Sequence, residues 1–161
     1  MGATLDFNNK THIVGLTSPY DSAGAAITSD IVNVGEYHAV SILVYIGTIT
    51  GDTAAITVEE CDDVTPSNNT AIAFRYRESG ATTSSDAYGS VTAALAAGVT
   101  VAAADDDHIF MIDINGAALS DGYPYVRVVV TPAGSASASE VAILSIGNPR
   151  YPQDDQVTAI T

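Results

Sequence analysis

The chain has no tryptophan, one cysteine and five cationic residues, of which Lys10 is the sole lysine. Each scarcity excludes something. Five cations against 19 carboxylates leave a formal net charge of −14 over 161 residues. A protein that binds through phosphates needs clustered Lys and Arg to release counterions, so a nucleic-acid partner is excluded. An anionic membrane surface is excluded for the same reason. One cysteine cannot form an intramolecular disulfide, nor build a Cys-based zinc site within one chain. Cys61 sits among Glu59, Glu60, Asp62 and Asp63, which oppose a thiolate. It reads as a small buried hydrophobe rather than a nucleophile. No apolar run approaches the roughly 20 residues of a membrane span. The segment Met1–Phe7 has neither a basic n-region nor an apolar h-region, and it fits a myristoylation signal poorly. The expectation is a soluble protein made in a cytoplasm and kept there until it joins something.

What is present is β-forming. The chain is 47% hydrophobic and 15% charged, and Val, Ile, Thr and Tyr fall in short runs between Gly, Asp, Asn, Ser and Pro. Strands are expected over residues 11–16, 25–34 and 39–50. The last of these is apolar on both alternating sets, as in a central strand covered on both faces. Gly51-Asp52 then signals a turn, and 53–61 alternates Ala54, Ile56, Val58 and Glu60 against Ala55, Thr57, Glu59 and Cys61. Together the two runs suggest a hairpin. Period-2 alternation also marks 71–77 and 108–114, and 99–103, 123–131 and 140–146 complete the set. Residues 79–90 read as a long exposed loop, and 91–97 as a helical turn or a strand. About eight or nine strands at close spacing predict an all-β fold, an antiparallel β-sandwich of jelly-roll type. The divisions are a single domain over 11–151 with an N-terminal arm, 1–10, and a C-terminal arm, 152–161.

Local chemistry points to no reaction. The acidic clusters Asp62-Asp63, Asp105-Asp106-Asp107 and Asp154-Asp155 lack the calcium-loop pattern and read as solvated turns and caps. Glycoside hydrolysis needs two carboxylates across a cleft, and no strand-borne pair offers them. His12, His38 and His108 fit no local metal motif; cross-strand packing and turn hydrogen bonds are expected of them. Tyr45, Tyr76 and Tyr125 fall on strands, where an aromatic is ordinary. No catalytic, cofactor-binding or metal-ligating residue is assigned, and the chain is read as a non-enzyme. The arginines carry more information. Arg75 and Arg77 share a strand face, Arg127 lies on a strand and Arg150 follows the last one. In so acidic a chain each is expected to pair with carboxylates, within the sandwich or at a subunit contact.

Three segments have a recognisable pattern: Asp105-Asp106-Asp107 running into 108–114, Asp121-Gly122-Tyr123-Pro124-Tyr125 running into 126–131, and 143–146 running into Gly147-Asn148-Pro149-Arg150-Tyr151. With 39–46 and 51–63, they resemble small proteins encoded among the virion structural genes of tailed bacteriophages, over roughly residues 30–151. The resemblance implies a β-sandwich or jelly-roll protein of the phage head, a capsid decoration (cement) protein on the capsid exterior. Its partners would be the major capsid protein and copies of itself, a trimer being one arrangement. It transfers no catalytic residue. Apolar residues in the two arms, Leu5, Phe7 and Ile160, with Tyr151, Arg75, Arg77, Arg127 and Arg150, are the interface candidates. The competing readings are another virion component (head–tail connector, tail or head-fibre protein) and a carbohydrate-binding β-sandwich module.

Overall fold

The structure, a computed structural model, describes residues 10–51, 53–134 and 138–151. Among these are twelve strands: β1 (His12–Asp21), β2 (Ile27–Thr28), β3 (Val32–Asn33), β4 (Tyr37–Thr50), β5 (Ala54–Cys61), β6 (Asn69–Ile72), β7 (Phe74–Glu78), β8 (Thr92–Ala94), β9 (Val99–Val101), β10 (Ile109–Ile114), β11 (Tyr125–Pro132) and β12 (Ala138–Pro149). One sheet has the order β1-β12-β4-β10-β7-β8. The other runs β2-β11-β5-β6, with β3 also on β11 and β9 also on β5. All pairings are antiparallel, and the two sheets pack as a β-sandwich, the expected class.

Period-2 alternation builds the core. Val40, Ile42, Val44 and Ile46 of β4 and Phe110, Ile112 and Ile114 of β10 point inward from the first sheet. Ile56 and Val58 of β5 and Val126, Val128 and Val130 of β11 meet them from the second. Burying each such side chain is worth about 1.5–3 kcal/mol against leaving it in water. The alternation predicted for 53–61 holds through Glu60, which is buried on the apolar side. Its carboxylate accepts the Ser120 N–H at 2.7 Å, which satisfies the buried charge with a backbone donor.

Three expectations are corrected. The runs 39–50 and 53–61 do not form a hairpin: β4 pairs with β12 and β10, and β5 with β11, β6 and β9. At Gly51, φ is +94°, and the chain there crosses from one layer to the other. Both edges of β4 are taken by strands more than 50 residues further along the chain (Asp113 opposes Ser41), so β5 serves the opposite layer. The run 71–77 is two strands, β6 in the second sheet and β7 in the first, and its unbroken alternation hides the change of layer at Ala73. Residues 25–34 contain two short strands on β11 instead of one long one. The segment 91–97, open between helix and strand, forms the edge strand β8 on β7.

The sheet edge at β1 is blunted. Its ladder with β12 breaks register between Ile13 and Gly15 and again between Thr17 and Tyr20, and Pro19 lies in the second break. Bulges and a proline remove the regular donor row that would recruit another strand.

Candidate contact surface at the chain-end pole

His12, the first residue of β1, is paired with Gly147 of β12, so both ends of the described chain leave the sandwich side by side at one pole. Tyr37 ties this pole together. Its ring is buried and lies against Gly147, where an added Cβ would stand 2.4 Å from a ring carbon. Only glycine lets the ring and the β12 backbone approach so closely. The Tyr37 hydroxyl is 3.1 Å from His12 Nδ1, and its carbonyl accepts from Arg150 Nε at 3.1 Å. One side chain thus holds the start of β1 and the end of β12. Burial, and secondarily the negative charge of Glu36, raises the Tyr37 hydroxyl above its ordinary pKa, which keeps it neutral.

Two open grooves flank this strand end. One, of about 550 Å³, is lined by Lys10, Thr11, His38, Ser41, Asn148 and Pro149. The other, of about 510 Å³, is lined by Gly116, Leu119, Asp121, Tyr123 and Arg150. Between them Arg150 is held by the Tyr37 carbonyl, and Tyr151 stands 76% exposed. An aromatic projected from an anchored backbone is the kind of group that seats in a partner's pocket.

The other candidates are dispersed. Arg127 pairs with Glu59 across β11 and β5, Nη2 to Oε2 at 2.7 Å and Nε to Oε2 at 2.8 Å, which fulfils the expectation of pairing inside the sandwich. Arg150 departs from it by binding a backbone carbonyl. Arg75 and Arg77 are exposed on β7 and, among the described residues, have no carboxylate within salt-bridge distance. Leu5, Phe7 and Ile160, with residues 1–9 and 152–161 of the two arms and the Asp154-Asp155 cluster, lie outside the described residues.

The acidic turn 105–107 acts as a set of latches. Asp105 accepts from Ala102 N–H, Asp106 from Ile49 N–H and Asp107 from the Tyr45 hydroxyl, each at 2.8 Å. The bond to Asp107 is the main cause of a raised Tyr45 pKa. Asp62 gathers the Ser67 and Asn68 N–H groups and the Asn68 side chain, which lowers its pKa below the ordinary carboxylate value. The reading of these clusters as caps and turns holds for both. Glu78, Asp105 and His108 bring ligand atoms within 4.8 Å of one another; their types suit a divalent cation, and the distance of Glu78 along the chain from the Asp105–His108 turn hid the grouping. His108 Nδ1 is already 2.8 Å from Glu78 Oε1 and Asp105 is bonded to Ala102, so the strand junction accounts for the trio. Cys61 is buried as expected. Its pKa is raised chiefly by that burial, and Arg127 partly opposes the shift; the neighbouring carboxylates are lesser causes.

Compared with protein-family models, curated proteins and solved structures, the chain matches none of them. Sequence reasoning singled out Arg150 and Tyr151 but missed Tyr37. The available signal was Gly147, a glycine inside a strand pattern, which marks a close approach by something else.

Proposed function

We propose that this chain is a structural virion protein that decorates and stabilises a tailed-phage capsid by binding the outer surface of the major capsid protein lattice. The observation that carries the reading is the common exit of both chain ends at one pole, where Tyr37 clamps His12, Gly147 and Arg150 and leaves Tyr151 exposed. A rigid sandwich whose two described ends lie together at one pole suits a clamp on neighbouring subunits. The resemblance supports it too, because the segments that carry it lie in β10, β11 and β12 and at this exit. A ligand that binds only the assembled lattice stabilises it by mass action, and many copies on one shell make modest contacts sufficient. The charge of −14 keeps decorated particles apart in solution. In this reading the chain transforms no molecule.

The test is to mix the purified protein with undecorated heads and image them. Regular density over the outer shell is expected, with that density and the heads' thermal protection reduced for Tyr151→Ala. A bare shell, or density confined to the neck or tail, overturns the proposal.

A further inference from the structure

The outer face of the first sheet lies on the flank of the sandwich and reaches the pole at Ile146, which also lines the first groove. Its residues run in register across five strands. Leu16 of β1 opposes Leu144 of β12, Leu144 opposes Leu43 of β4, Leu43 opposes Met111 of β10, and Met111 opposes Arg77 of β7. On one side of this row Ile13 opposes Ile146, and that row continues into Ser41 and the exposed Asp113, whose carboxylate accepts from the Ser41 hydroxyl; on the other side Ala142 opposes Tyr45 and then Ile109. Leu16 is 59% exposed and Ile13 53%. A contiguous apolar face of this kind marks a contact surface.

The charges at its two sides identify the occupant. On the β7 side stand Arg75 and Arg77, exposed on the same face. On the β1–β12 side Asp21 and Glu140 are exposed and directly opposite each other in the ladder, an arrangement of like charges that destabilises a sheet. Among the described residues neither pair has an oppositely charged group within salt-bridge distance. Two of only five cations in the chain therefore face outward on one side of an apolar patch, and an unrelieved carboxylate pair faces outward on the other. Such a surface is complementary to itself. A two-fold axis in the plane of the face, perpendicular to the line joining the two charged sides, lays each side over the other and apolar centre over apolar centre. The blunted edge of β1 leaves the face, not the strand edge, to make the contact.

We propose that this face binds a second copy of the chain in an isologous dimer. Arg75 and Arg77 of each copy meet Asp21 and Glu140 of the other around a centre of Leu16, Leu43, Leu144 and Met111. The inference does not depend on capsid binding, and its test uses the chain alone.

Sedimentation of the full chain over a concentration series should show a monomer–dimer equilibrium. The double variant Arg75→Glu/Arg77→Glu and the double variant Asp21→Arg/Glu140→Arg change only exposed residues, and circular dichroism would verify that both fold. Each alone should raise the dimer dissociation constant at least about tenfold, because like charges then meet at both sides. Mixed together the two should form a heterodimer, since every contact again joins opposite charges, and the fourfold variant should recover dimerisation to within about threefold of the parent. A parent that is monomeric or trimeric throughout, double variants that dimerise like the parent, or a mixture that forms no heterodimer would each overturn the proposal.

Discussion

The two sides of the first sheet are built from the same strands and nearly the same residue types, yet they end in different environments. On the inner side Ile42, Val44, Phe110 and Ile112 are sealed against the second sheet. On the outer side Leu43, Leu144 and Met111 are only partly covered, and Leu16, Ile13 and Tyr45 are open. The apolar run 39–50 was expected to be covered on both faces; within the described chain it is covered on one. The difference teaches that an apolar alternation records how much surface a strand is made to bury, not whether its own chain does the burying.

Mutations on the two sides should separate sharply. The largest loss is expected inside: Phe110→Ala, which also removes a ring 5.9 Å from Tyr76, should cost about 3–5 kcal/mol of unfolding free energy by denaturant titration. A loss under about 1 kcal/mol would mean the inner side is loosely packed and the contrast false. At the pole, Gly147→Ala forces a methyl into the Tyr37 ring and should cost about 1–3 kcal/mol, together with loss of the buried tyrosine's near-ultraviolet dichroism. Tyr37→Phe keeps the ring but removes the bond to His12, for about 0.5–1.5 kcal/mol. On the outer side Leu16→Ser, measured at low protein concentration, should change stability by less than about 0.5 kcal/mol. The smallest effect lies off both faces. Asp62 has a folded pKa depressed below 3.8, so its contribution is complete above that value and is lost as pH falls through the folded value. Asp62→Asn should flatten that part of the acid limb and leave stability above pH 5 nearly independent of pH on its account; an unchanged acid limb would remove the loop closure from the account.

Much of the fold was legible because strand alternation is local. The patterns Ala54, Ile56, Val58 and Phe110, Ile112, Ile114 show which residues go inside without reference to any partner. The candidate site was legible only in part. Arg150 and Tyr151 stood out as a cation and an aromatic after the last strand, whereas Tyr37 fell in the gap between the expected strands 25–34 and 39–50 and drew no role. Its importance comes from His12 and Arg150, which are 25 and 113 residues away. Glu78, which joins Asp105 and His108 from a distant strand, was hidden for the same reason.

By itself the sequence determined the class of fold and the inward set of each strand, since alternation is a sum over near neighbours. Only the tertiary structure decided that β4 and β5 part into different sheets, that both ends of the described chain meet at one pole, and that a cationic and an anionic pair lie on opposite sides of one apolar face. Those are facts of strand order, and strand order is set by which distant segments together bury the most surface while pairing every edge; no local window contains that sum.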